Sequence, residues 1–219
     1  QLQSALDCYE FVTEEIALSN STGETIFHVS SGVPDKDNYP SDYGSKSSSL
    51  LAPDRASEIH SWLKFTERLK VKTETLDSVV QRRNIDHIHL IHMDVQGAEL
   101  MVLEGGQEML KHIDCIWLEV EKIELYKEQP LENDIADFME LHGFRKVLNE
   151  MNHISGDQLW VRIEFYNTLD LSVKRRLFVY KRISEIESFV KSTFGSLRYK
   201  MRIRSRFKNM WNKCLPASR

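Results

Sequence analysis

The stretch from Ile88 to Gly106, IHLIHMDVQGAELMVLEGG, restricts what this chain can fold into more than any other. A short apolar run stops on an acid, Asp94, turns through Gly97 and resumes with apolar residues at helical spacing. A strand that hands over to a helix in this way is half of a parallel crossover, and parallel crossovers build α/β folds. Asp94 at the junction is costly unless it is solvated, paired or used chemically.

The flanking sequence extends the pattern. FVTEEIALSN and STGETIFHVSS read as two short strands joined by a turn at Ser21-Thr22-Gly23. GVPDKDNYPSDYGSKSSS is a long loop of turn-forming residues, and loops of that length in compact domains are usually functional or disordered. RLKVKTETL alternates as a half-exposed strand, LDSVVQRRN supplies a short helix, and Asp86 to Val95 is predicted as a largely buried strand. A helix is predicted from Gly97 to Ile113, followed by the strand DCIWLEVEK and the amphipathic helix ENDIADFMELHGF, ended by Gly143. RKVLNEM and DQLWVRIEFY, joined by NHISG, read as an antiparallel pair at one end of the sheet.

With 219 residues the chain can bury one sizeable core and carry an appendage. No apolar run approaches the roughly 18 residues of a membrane span. The start, QLQSALDCYEF, has no basic segment followed by an apolar one, so no secretory signal is visible. It also has no initiator Met, which leads us to expect a processed, excised or truncated N-terminus. Cys8, Cys115 and Cys214 are odd in number and far apart, which argues against a disulfide framework or a zinc site and favours a reducing, cytoplasmic setting. The net charge of −4 conceals an asymmetry, because residues from Asp170 onward hold 14 Lys/Arg against 3 Asp/Glu. The preceding part is correspondingly acidic, so the two parts are expected to do different work. We divide the chain into an α/β domain over 1–167 and a basic, mainly helical tail over 168–219.

Ligands of open α/β sheets bind beyond the carboxyl ends of the strands. Asp94 lies at one such end and Glu121, closing WLEVE, at another. These carboxylates can hold a substrate hydroxyl, or one can act as a general base. Asp94 can equally serve only to accept hydrogen bonds from the turn, and Glu99 only to complement the helix dipole. His87, His89 and His92 form H-x-H-x-x-H, but strand alternation puts His92 on the opposite face from the other two. Three-histidine metal binding is therefore geometrically poor, and no metal is expected. Trp117 and Trp160 read as core residues.

VKTETLDSVV, IDHIHLIHMDVQGAELMVLEGGQEML and DCIWLEVEK together resemble the second half of an FkbM-type methyltransferase, with EIALSNSTGETIFHV and KSSSLL in the expected order ahead of them. The likeness runs from about Phe11 to Arg162. It implies a class I, Rossmann-like methyltransferase sheet, S-adenosylmethionine as cofactor, and a hydroxyl acceptor on a sugar, lipid or natural product. Carried over residue by residue, it implies Asp94 as the acid facing the reacting methyl. Gln96 and Gly97 would shape the cofactor-side turn, and Ala17 and Leu18 would line the adenine pocket. Ser48, Ser49, Glu99 and Glu121 would lie on the acceptor side. The family's glycine-rich turn between its first strands has no counterpart in this sequence, since the glycines of EGGQE fall inside or after a helix. The resemblance thus implies an N-terminally incomplete sheet with a basic helical extension, and a fragment or degenerate relative of the enzyme. The competing reading is a non-catalytic α/β interaction module.

The tail RYKMRIRSRFKNMWNK carries seven basic and no acidic residues, with Met, Phe and Trp interleaved. It reads as docked on the acidic body or solvated, with peripheral contact to an anionic membrane or glycan as the alternative. Small-molecule, glycan or lipid acceptors are the expected partners, and nucleic acid is not.

Overall fold

The computed structural model of the chain describes residues 12–34 and 43–194, with side chains as far as residue 182. Cys8, Cys214, most of the long loop's middle and the basic run after residue 194 lie outside the described residues. Seven strands, β1 (Ala17–Leu18), β2 (Gly23–Ser31), β3 (Lys64–Glu74), β4 (Ile88–Met93), β5 (Ile113–Glu121), β6 (Phe144–Met151) and β7 (Ser155–Arg162), alternate with helices in a mixed α/β fold.

The described strands form two sheets rather than one. In the smaller, ordered β1-β3-β2, the two early strands flank β3: β1 runs parallel to it and β2 antiparallel, with a register shift between Val29 and Ser30. The strand pair read from the sequence is therefore not a hairpin with itself. The larger sheet has the order β4-β5-β7-β6. β4 and β5 are parallel, whereas β7 is antiparallel to both of its neighbours. The NHISG turn thus returns the chain between β5 and β6, placing β6 rather than β7 at the edge.

β5 explains why the core sits where it does. Its alternate residues Ile116, Leu118 and Val120 are buried on one face, against Val80, Val102, Leu103, Ile135 and Met139 from three helices. Complete burial of such side chains contributes about 1.5–3 kcal/mol each. Those helices span Leu76–Arg83, Glu99–Glu104 and Glu132–Leu141. The first starts where the Thr75 hydroxyl accepts from the Ser78 N–H and stops at Asn84 in the left-handed conformation. Trp160 is fully buried, as expected, and its indole N–H donates to Gln158 at 3.0 Å. The Gln158 amide in turn donates to Glu132 and Asn149, so this polar group inside the sheet is satisfied. Trp117 is only half-buried, with its indole N–H on Asp157.

Three further expectations are corrected. β4 is not largely buried: His89, Leu90 and His92 are exposed, because no described strand pairs with its outer edge. The helix after Asp94 does not reach Ile113. It ends at Glu104, and a 3-10 turn, Met109–His112, leads into β5. The break falls at Gly105 and Gly106, and close packing requires both glycines. A Cβ on Gly105 would lie 2.1 Å from the Ser19 carbonyl oxygen, and one on Gly106 would lie 2.8 Å from the Leu76 side chain. DQLWVRIEFY likewise stops being a strand at Arg162, where a short helix, Ile163–Thr168, begins. A long helix, Leu171–Phe194, follows and packs along β6, with the Tyr180 hydroxyl donating to Glu150 at 2.6 Å. No described helix is long and apolar enough to cross a membrane.

Gly105→Ala tests the packing at the break. Its backbone φ is −75°, so an alanine is conformationally allowed and the cost comes only from the Ser19 carbonyl. We expect a loss of about 1–3 kcal/mol in urea unfolding. An unchanged midpoint would mean that the β1 segment yields freely.

Candidate active site

Asp94 is exposed just beyond the carboxyl end of β4. The chain turns there through two left-handed residues, Gln96 at φ 54° and Gly97 at φ 92°. Glycine adopts this conformation freely, but for glutamine it costs about 1–2 kcal/mol. Three contacts hold Gln96 in place. Its side-chain N–H donates to Asp94 at 2.6 Å, its carbonyl accepts from the Ser49 hydroxyl at 2.7 Å, and its amide oxygen lies 3.2 Å from the Tyr126 hydroxyl. That hydroxyl also donates to the Ser47 carbonyl at 2.7 Å. Glu99 closes the turn from the helix side, accepting from the Val95 N–H at 3.0 Å. A Cβ on Gly97 would lie 2.8 Å from the amide nitrogen of Gln129.

The turn brings together acids that the sequence spaces widely. Glu99 and Glu121 are each only 3 % exposed, and Glu119 is half-buried. Burial pushes the Glu121 carboxyl up to about 8, with the charges of Glu99, Glu119 and Asp94 adding to the rise. Burial also pushes Glu99 up to about 7; backbone N–H groups oppose the rise, and Glu119 and Asp94 reinforce it. Glu119 is raised too, chiefly by burial, with Asp94 and Asp157 contributing and hydrogen bonds to Ser155 and Gln96 opposing. Carboxylates this close, with little water between them, do not all ionise together near neutrality. Gln129 faces the group: its oxygen accepts from the Leu125 and Tyr126 N–H groups, and its amide meets Glu121, partly opposing the rise in that carboxyl.

Glu119, Glu121, Gln96 and Tyr126 line a cavity of about 290 Å³ together with Trp62 and His60. Its lining combines carboxyl groups with aromatic rings, a combination suited to a small polar ligand.

Of the residues singled out from the sequence, Asp94, Gln96, Gly97, Glu99 and Glu121 converge here. Ser49 is fully buried and reaches the site through its bond to Gln96, while its backbone pairs with His28. The Ser48 hydroxyl bonds the Ser45 carbonyl and the Ser30 N–H instead. Ala17 and Leu18 stand apart, paired with Thr73 and Glu74 at the other end of the helix that Glu99 begins. Glu119, Tyr126, Gln129 and Trp62 were not singled out. Alternation in WLEVE placed Glu119 on the same face as Glu121 and was a usable signal. The other three come from loops with no periodicity to read.

The family described as Methyltransferase FkbM domain matches residues 5–146. The chain is also similar to the 2-O-methyltransferase NoeI of Sinorhizobium fredii (strain NBRC 101917 / NGR234), with 32 % identity over 145 residues. That alignment covers 66 % of this chain and 57 % of the relative, so the chain spans a little over half the length of the curated relative it matches. No solved structure matches.

The buried acids make stability depend on pH in a stated direction. A carboxyl raised above its ordinary 4.5 binds its proton more tightly in the folded chain, so folding loses stability as pH rises from that value through about 7 and about 8. Glu121→Gln should flatten this decline and raise the urea midpoint at the alkaline end. An unchanged slope would mean that Glu121 ionises normally.

Proposed function

The chain belongs to the FkbM methyltransferase domain family, and from that premise we propose that it forms the acceptor side of an S-adenosylmethionine-dependent O-methyltransferase. The acceptor is a hydroxyl on a sugar, lipid or natural product; the name of its relative, a 2-O-methyltransferase, supports an oxygen acceptor. The observation that carries this reading is the set of carboxyl groups gathered beyond β4 and β5, on the turn where the family resemblance is densest.

The chemistry of the donor set fits the cofactor, whose sulfonium would supply an electrophilic methyl group beside a cluster of acids. Gln96 and Gly97 would border it, and Ala17 and Leu18 would lie toward its adenine. Asp94, exposed and oriented by the Gln96 amide, takes or polarises the acceptor's hydroxyl proton. Glu121, still protonated near neutrality, donates a hydrogen bond to another oxygen of the acceptor. Ser49 supports the acceptor side of the turn through its bond to Gln96, Ser48 would border the acceptor beside it, and Glu99 clamps the turn. Holding the acceptor oxygen in line supplies much of the rate in such a transfer.

The fold reading goes further than the mixed α/β architecture. We assign β4-β5-β7-β6 to one half of a class I, Rossmann-like sheet whose other half adds at the open edge of β4. The half-exposed apolar residues along that edge support this, with Leu90 at 56 % exposure. The chain up to 167 is the methyltransferase domain portion and the residues beyond it the basic extension, whose contact with an anionic surface remains part of the proposal. A reducing cytoplasm is the setting that suits it.

Asp94→Asn in the complete enzyme, assayed by S-adenosylhomocysteine release on a panel of hydroxylated sugars and lipids, should lower turnover at saturation by about 100-fold or more. Cofactor affinity should stay within about threefold, because a group used only in proton transfer contributes little to ground-state binding. Preserved turnover with weakened cofactor binding would move Asp94 to the cofactor side.

A further inference from the structure

The opposite end of β4 holds a second group of polar side chains that the proposed transfer does not use. The His87 Nε2 and His89 Nδ1 atoms each lie 2.9 Å from the same oxygen, Oδ2 of Asp114. Strand alternation puts both rings on one face of β4, and their centroids are 4.7 Å apart. The parallel register, with Ile88 opposite Ile113 and Leu90 opposite Cys115, sets Asp114 beside them on β5. His92 stands on the other face against the Trp117 ring, as strand alternation predicts, so the third group beside the two histidines comes from β5.

We infer that His87, His89 and Asp114 bind a divalent first-row transition-metal ion that ties the edge strand β4 to β5. Among the described residues, these are the His, Cys, Asp and Glu side chains whose ligand atoms lie close enough to share one ion, all within 4.8 Å of one another. Two imidazole nitrogens and one carboxylate suit zinc, cobalt or nickel, whereas magnesium and calcium prefer all-oxygen sets. Metal–ligand bonds of about 2.0–2.2 Å put tetrahedral donors about 3.4 Å apart, so each nitrogen must retreat from Asp114 by about half an ångström and the two nitrogens, now within 4.8 Å of each other, must settle at the same spacing. The environment permits that movement in the histidines and resists it in the acid. The Asp114 side chain is 12 % exposed, against 45 % for His87 and 88 % for His89.

Binding requires each facing nitrogen to present its lone pair and each ring to carry its proton on the other nitrogen, and neutral imidazole has both tautomers available. The exposed side of the group leaves a coordination position for water. His89 precedes Asp94 by five residues along an extended strand, a separation of about 16 Å. The ion is therefore structural, and its role is to hold the amino end of a strand whose outer edge no described strand covers.

The test uses the full chain, stripped with chelator, and the metals alone. Zinc calorimetry should show one equivalent bound, cobalt should give the visible bands of a low-symmetry nitrogen–oxygen site, and the melting temperature should rise with zinc concentration. His89→Ala and His87→Ala, at exposed positions that folding tolerates, should each weaken zinc binding by more than about tenfold and abolish the thermal shift. Asp114→Asn should do the same where it folds. Absence of stoichiometric binding, or an affinity in both histidine variants equal to that of the unsubstituted chain, would overturn the site and leave a hydrogen-bonded His–Asp cluster.

Discussion

The hydrogen bond from the Ser49 hydroxyl to the Gln96 carbonyl, 2.7 Å long, joins the two halves of the described structure at the point where both are most constrained. Ser49 belongs by its backbone to the smaller sheet, through its bridge to His28 on β2, and Gln96 belongs to the turn that ends β4. Without that bond the glutamine would relax from a left-handed conformation that its side chain disfavours. Asp94 would then lose the amide that orients it, and Tyr126 its second contact. The strain at one residue is thus borne by two sheets and a loop, which is why the turn can present an acid in a defined direction.

What the turn positions is unusual in its electrostatics. Several carboxyl groups are held in a space that excludes much of the water that would separate them, and the outcome is proton retention rather than mutual expulsion. Glu121 and Glu99 keep protons into the neutral range because burial penalises their charged forms, with neighbouring charge a secondary contribution. Asp94 stays at the surface, open to solvent. Burial in this way divides the carboxyl groups of one site into proton-retaining and solvent-facing ones.

The two ends of β4 are built on different principles. At its carboxyl end Glu99 and Glu121 are buried by the loops that follow β4 and β5, and Glu119 and Glu121 line a cavity. At its amino end Asp114 is buried, but the histidines beside it face outward, because the strand has an uncovered side. The same lack of a neighbour exposes Leu90. An α/β sheet concentrates its reacting groups where strands give way to loops, and the amino end is left free for fastening.

How much of this could be read in the residues depends on the range of the interaction concerned. The strand-to-helix handover at Asp94, the helices capped by Thr75 and ended at Gly143, and the buried face of β5 follow from local periodicity and turn chemistry, which a short window of sequence contains. The motif around Asp94 likewise identified four of the residues that meet at the site, and the end of WLEVE supplied a fifth, Glu121. The sequence could not reveal that β1 and β2 leave the main sheet to flank β3, that β7 inserts between β5 and β6, or that Gly105 must clear a carbonyl from residue 19. Those are contacts between segments tens of residues apart, decided by which partner buries most. Tyr126 and Gln129 joined the site, and Asp114 came to lie beside His87 and His89, for the same reason. Local pattern sets the direction in which a side chain points along its own strand, but only the packed tertiary structure decides which side chain from elsewhere it meets.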